Sequence, residues 1–449
     1  MDVQRLRLAV IPLALILMTT LSGACLAADH TATANITETT DPENGVVADS
    51  TNSAARNGTA GCVVTGSAAD GCRTRLVLLG TTGGVGWWPE TDRASSSAAI
   101  VVNDTIYVVD MGQGSAPRLS QAFNTGTFIE TSGGRIQDGS STFLQNMTAL
   151  FFTHLHMDHT ADYPALLLTG PGAGLGMRTD AATNRTTFVP LKVFGPCTRG
   201  QLEEDRVGFT NRGGRIVSTD SADPEQITTS PGTRQMTEVI WQAYAQAIND
   251  LTLDDGYPDF RSLVNVTEIG GNASWDIPMP VTVTDPNNGT CPAMDPFEVY
   301  RDSNVRVTAV LVDHHQIYPA FAFRFDTQDG SVVFSGDTGP DTGGNLQRLA
   351  TGADILVHEV IDRAWIDQKF GAPAPGSPMD ALKTHMLESH TANDVVGSVA
   401  ESCGVGTLVL NHIVPGNTPP IHLLEAARTF TGQVIVGEDL MQIGIGATG

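Results

Sequence analysis

The chain has 449 residues, 41% of them hydrophobic and 16% charged, with 47 Gly and 24 Pro. These figures exclude a disordered, collagenous or coiled-coil protein and suit one large or two ordinary globular domains. Asp and Glu number 49 against 25 Lys and Arg, a formal net charge of −24, and a surface of that sign repels phosphate backbones, so a nucleic-acid partner is disfavoured.

At the start of the chain, Arg5 and Arg7 flank an apolar run from Leu8 to Met18, followed by small residues through Ser22, Gly23, Ala24, Cys25 and Ala27. Charged, apolar, then small is the order of a secretory signal. Residues 1–27 are therefore expected to be a cleaved signal peptide, with a secreted or periplasmic location. No later stretch is apolar for long enough to span a membrane. From Asp29 to Arg73 the chain is Thr, Ala, Asn, Gly and acidic residues without an aromatic, so residues 28–74 read as a low-complexity tail or linker. Cys62 and Cys72 close a short Gly-rich loop and form the expected disulfide in an oxidising compartment. Cys197 with Cys291 is a second candidate bridge, and Cys403 reads as a small apolar core residue.

Folding is expected to begin at the apolar run Arg75 to Gly80, stopped by Thr81-Thr-Gly-Gly84. Further on, residues 147–153 read as a buried strand running into His154-Leu-His-Met-Asp-His159. Residues two apart in extended chain project to the same side, so His154 and His156 can share one metal while Asp158 and His159 face another. Three later apolar runs end the same way: 309–313 before His314 and His315, 331–336 before Asp337, and 407–411 before His412. Short apolar strands alternating with helical segments imply an α/β layered domain with its site at strand ends. Imidazoles with carboxylates between them suit a zinc pair.

Together with Leu79-Gly-Thr-Thr-Gly-Gly84, Val109-Asp-Met-Gly-Gln-Gly114, Phe334-Ser-Gly-Asp-Thr338, Leu356-Val-His-Glu359 and Ser389-His-Thr391, these pieces stand in the order of a known family. The chain resembles the metallo-β-lactamase fold hydrolases, in the branch of ribonuclease Z and secreted arylsulfatases. The resemblance covers residues 75–449, apart from insertions near 170–190 and about 198–300. It implies a four-layer αββα sandwich with a helical insertion and two Zn²⁺. By that resemblance His154, His156 and His314 hold the first ion, Asp158, His159 and His412 the second, and Asp337 bridges them. The doubled histidine leaves His315 as an alternative to His314. Asp110 is implied to steady the metal loop, with His358 and Glu359 behind the ligands. Asp158 is implied to orient a metal-activated hydroxide, and His390 to protonate the leaving group. A helix-start histidine is the structural alternative for His390.

Such a site serves sulfate esters, phosphodiesters, lactones and β-lactams alike. Only 23 positions separate His314 from Asp337, which leaves no room for the RNA-gripping arm that the resemblance to bacterial ribonuclease Z would place there. The insertion carries a probable helix, Ile240 to Ile248, which with Trp87, Trp88 and Tyr257 could form an apolar lid, although core packing explains these rings equally well. The expected activity is hydrolysis of a small ester, arylsulfatase-like. The alternatives are a phosphodiesterase or ribonuclease Z-like endonuclease, or a lactonase. A homodimer is compatible with this reading.

Overall fold

Runs of β-branched and aromatic residues, alternating every second position, build two mixed sheets. The computed structural model describes residues 71–446, apart from 139–141, 181, 202–228, 272–273 and 287–288, together with the strands Thr39–Asp41, Gly45–Ala48 and Val63–Thr65. One sheet runs, edge to edge, Ile277–Pro278, Val264–Gly270, Leu191–Pro196, Met147–Phe151, Thr105–Val109, Ser97–Val102, Thr74–Gly80, Gln442–Ile445 and Val63–Thr65. The other runs Thr39–Asp41, Gly45–Ala48, Gln433–Val436, Thr407–Val414, Ile355–Ile361, Ser331–Phe334, Phe321–Thr327, Val305–Leu311 and Phe297–Arg301.

The sheets bury alternate residues against each other. Leu76, Leu78, Ile100 and Phe151 meet Val307, Phe323 and Phe325 in one core, with the Phe151 ring 5.6 Å from Phe323 and 5.2 Å from Phe325. The intervening residues of the first sheet, among them Val77, Leu79, Val108 and Phe152, turn outward against Leu119, Tyr163 and Leu166 of the helices Ser115–Phe123 and Tyr163–Thr169. The helices Asn345–Ala350 and Asn393–Cys403 pack against the second sheet. The result is the expected αββα sandwich. At the centre of each sheet the strands are parallel: 105–109, 147–151, 191–196 and 264–270 in one, 331–334, 355–361, 407–414 and 433–436 in the other. Their carboxyl ends bring the loops that follow them to one edge of the sandwich.

The structure adds detail to some expectations and corrects others. The helical insertion, about 198–300, also contains the sheet strands Val264–Gly270 and Phe297–Arg301. Its helix is two helices, Thr233–Ala243 and Ala245–Asp254, broken at Tyr244 where φ is −107° and ψ 18°. Three short strands fall within the proposed linker and extend both sheets at their edges; backbone pairing orders them without a core of their own. Cys197 and Cys291 are free thiols, each directed at a nearby carbonyl, Thr198 O at 3.3 Å and Leu311 O at 3.4 Å. Cys403 is buried in the core. The signal sequence and Cys62, and with it the Cys62–Cys72 pairing, lie outside the described residues. Among those described, no helix is long and apolar enough to cross a membrane.

Candidate metal centre

The hexapeptide turns as it leaves its strand. His154 follows the strand Met147–Phe151 past a bend at Thr153, and His156 stands just before the short helix Met157–Thr160, which folds Asp158 and His159 back. His154, His156, His314 and Asp337 each offer a ligand atom within 4.8 Å of the others, and Asp158, His159, Asp337 and His412 form a second such group. Asp337 belongs to both. Its Oδ1 lies 3.2 Å from Nε2 of His159 and 3.2 Å from Nε2 of His412. Its Oδ2 lies 3.8 Å from Nε2 of His154 and 3.8 Å from Nε2 of His314. One carboxylate oxygen faces each group.

Two of the outward nitrogens are held. His159 Nδ1 donates to Asp110 Oδ2 at 2.8 Å, and His314 Nδ1 to the Ser389 carbonyl at 2.8 Å. Such bonds fix the tautomer and leave Nε2 bare for a cation. Nε2 of His154, Nε2 of His159 and Oδ1 of Asp337 are buried with no hydrogen-bond partner. Orphaned polar atoms are costly in a protein interior unless something of opposite charge lies between them. Five imidazoles and two carboxylates are the donor set that zinc prefers. The residues fit a metal pair.

Electrostatics points the same way. Burial opposes a charge on His412, yet Asp337 and Asp158 push its pKa up to about 10. Burial likewise opposes charge on His159, and Asp337, Asp110 and Asp158 overcome it. Desolvation works against ionised Asp158 and Asp337, but His159 and His412 hold both below the usual carboxylate range. The second group therefore attracts positive charge. His154 and His314 are lowered, first by burial, and stay neutral, the form that ligates.

Backbone strain gathers here too. Asp110 has φ 59° and His412 φ 44°, left-handed values that cost a non-glycine residue on the order of 1–3 kcal/mol. His412 is the extra residue of a bulge, with Asn411 opposite Glu359 and Ile413 opposite Val360, so it sits inside its strand and not after the end. Asp110 is held by three donors: the Thr153 amide (2.8 Å), the Thr153 hydroxyl (2.8 Å) and His159.

The remaining expected residues divide. Glu359 Oε1 accepts from the amides of Thr338 (3.2 Å) and Thr391 (3.0 Å) and from His390 Nδ1 (3.2 Å). His390 follows the helix Pro378–Ser389 and does not start one. Its ring stacks on His412 at 5.7 Å, and Glu359 raises its pKa against the effect of burial. His358 is buried, with Nδ1 2.7 Å from the Glu359 carbonyl oxygen. His315 turns away from the cluster to Glu388 at 3.2 Å.

Two glycines of the Leu79–Gly84 motif, given no site role by the sequence, touch the ligands. The Gly84 amide donates to Asp158 Oδ2 at 2.7 Å, and a Cβ on Gly83 would fall 2.1 Å from the His412 ring. The apolar lid does not assemble as expected. Ile240 and Trp241 pack on the outer core of the first sheet, and Tyr257 packs on Phe260. Of these rings Trp88 is bound to the loop that carries Gly83, its Nε1 donating to Gly83 O at 3.0 Å, while Trp87 beside it donates to Gln113 Oε1 at 3.2 Å.

These layers and this shared-carboxylate cluster have the arrangement of the metallo-β-lactamase fold, whose metal-dependent hydrolases the chain resembles. In sequence it is similar to ribonuclease Z. It is 27% identical over 376 residues to ribonuclease Z of Mycolicibacterium paratuberculosis, covering 83% of this chain and 98% of that one. It is 26% identical over 371 residues to ribonuclease Z of Mycobacterium bovis, covering 82% and 97%. No family model matches the sequence. Among solved structures, the short form of human tRNase Z aligns with a TM-score of 0.46 at 18% identity, over 83% of this chain and 100% of that one. The metallo-β-lactamase fold protein YhfI of Bacillus subtilis gives 0.44 at 14%, over 82% and 98%.

Proposed function

We propose that this chain hydrolyses phosphodiesters in the manner of ribonuclease Z, with two zinc ions held at the paired clusters. The observation that carries the reading is Asp337, one oxygen toward each ligand group, in a chain similar to ribonuclease Z over 83% of its length. His154, His156 and His314 would hold one ion, Asp158, His159 and His412 the other, and Asp337 both. Zinc bound there would polarise the ester and acidify a water toward neutral pH. Asp158, braced by the Gly84 amide, orients the attacking water. His390, whose pKa Glu359 raises against burial, would give a proton to the departing oxygen.

The arylsulfatase-like expectation yields to this reading. The relatives are ribonucleases by name, and the helix Thr233–Ala243, expected in the apolar lid, packs Met236, Ile240 and Trp241 on the outer core. The same relatives weigh against setting nucleic acid aside on charge alone. Between His314 and Asp337 the chain is filled by the strands Phe321–Thr327 and Ser331–Phe334, so an RNA substrate would be held without an arm at that point. A secreted or periplasmic location rests on the sequence of residues 1–27.

Zinc-loaded protein should be assayed on a bis-aryl phosphate, an aryl sulfate, a lactone, a cephalosporin and a precursor tRNA. The diesters should be turned over fastest, and an aryl sulfate hydrolysed faster than either would overturn the proposal. In the same assays His390→Ala should slow diesters with alkyl leaving groups by roughly 10²–10⁴-fold and nitrophenyl diesters far less. Equal losses would make His390 a structural residue.

A further inference from the structure

Beside the centre lies a recess to which the hydrolytic machinery gives no task. Thr82, Trp87, Trp88, Arg93, Gln113 and Arg118 line it, and its volume is about 810 Å³ with the solvent mouth included. It shares a loop with the centre: the residue after Thr82, in its wall, is Gly83, which packs on His412.

Its chemistry is narrow. Trp87 is 87% exposed, yet the indole is tethered, its Nε1 donating to Gln113 Oε1 at 3.2 Å. Trp88 is anchored to Gly83 and sits edge-on to Trp365 at 5.9 Å. The arginines are already committed. Arg93 donates to Thr81 Oγ1 and Gly437 O, both at 2.6 Å. Arg118 donates to Asp439 at 3.0 Å, Gln121 at 3.0 Å and the Asp92 carbonyl at 2.9 Å. The helix Ser115–Phe123 begins at this wall but offers no free amide in its first turn: Ser115 N donates to Gly112 O, Ala116 N to Asp162, and residue 117 is proline. An anion would have to compete with the acceptors that both guanidinium groups already serve. A flat, uncharged ring finds one exposed indole, tethered to Gln113, and a second beside it.

We propose that this recess binds an aromatic ring carried by the substrate ester, a nucleobase or an aryl group, and that Trp87 is its stacking platform. Exposed aromatics with a bonded polar atom are the usual material of such platforms. The proposal takes its ester from the phosphodiesterase reading, but the ring-binding part stands apart from catalysis.

Two measurements test it on the full chain. Calorimetric titration with adenosine, p-cresol and cyclohexanol should show binding of at least one aromatic and none of cyclohexanol. Trp87→Ala should weaken that binding roughly 10- to 100-fold, while Trp87→Phe retains most of it. Because Trp87 is so exposed, the alanine variant should fold, and an unchanged melting temperature verifies this. Equal binding to the alanine variant, or equal binding of cyclohexanol, would overturn the inference. The kinetic measurement compares KM for a dinucleoside phosphate and a bis-aryl phosphate in wild type and Trp87→Ala. The substrate with the larger rise identifies the ring. If aromatic binding depends on Trp87 while no phosphodiester is cleaved, the recess stands and the functional reading falls.

Discussion

At the scale of single residues, Asp337 determines whether the centre is one site or two. It is buried between five imidazoles, with separate oxygens for the two groups, so its loss removes a donor from both at once. Purified wild type should carry close to two zinc ions per chain. Asp337→Ala should lose occupancy at both positions, whereas His156→Ala, touching one group only, should weaken mainly one. Elemental analysis of the three proteins checks this, and a full complement of zinc in Asp337→Ala would refute the shared-carboxylate arrangement. These residues were legible in the sequence because the hexapeptide and the strand-end histidines carry their chemistry in their spacing. The strain at His412 and Asp110 was not legible. A left-handed φ at a non-glycine residue depends on what holds it, here a bulge opposite Glu359 and three donors to Asp110.

At the scale of elements, the loop after Thr74–Gly80 acts as a wall for the metal centre. Gly83→Ala would place its Cβ 2.1 Å from the His412 ring, a distance no packed side chain accepts, so the ring or the loop must move. Zinc affinity should fall by one to two orders of magnitude with secondary structure unchanged by circular dichroism; unaltered affinity would mean the loop yields freely. The helix Pro378–Ser389 carries a pH effect. Burial, then the neighbouring His315, His390 and His156, lower the pKa of His385 to about 4, whereas an unfolded histidine titrates near 6.5. Between those values the unfolded chain binds a proton that the fold refuses, so His385 costs stability as pH falls from about 6.5 to 4 and costs nothing above. Solvent screening leaves an effect on the order of 1 kcal/mol. His385→Gln should therefore gain on wild type in denaturant melts at pH 4.5 but not at pH 7.5, and a difference independent of pH would refute it. Strands that end in a ligand were readable from their apolar runs. Val264–Gly270 and Phe297–Arg301 were not, because polar residues interrupt them and only pairing with distant partners makes them strands.

At the scale of the whole molecule, a net charge of −24 sets the sign of an experiment. Proteins that grip nucleic acid through basic surfaces lose affinity as salt rises, because released counterions no longer drive binding. Here the long-range field opposes a polyanion, and salt screens that field: the Debye length falls from about 30 Å at 0.01 M to about 8 Å at 0.15 M. KM for an oligonucleotide should therefore fall several-fold across that range, as repulsion beyond the first few ångströms is removed. A bis-aryl phosphate carries one charge and should change little, which separates the field of the molecule from any effect of salt on the candidate metal centre itself. The arrangement at short range is the opposite, since Asp337 and Asp158 are held ionised among imidazoles and a cation pair between them would present positive charge to a single phosphate. Substrate would thus be repelled at a distance and attracted at contact, a combination that favours one diester over an extended backbone. Steady-state kinetics on both substrates over the salt series tests this. A KM for the oligonucleotide that rises with salt would show that a local basic surface, and not the net charge, governs its approach.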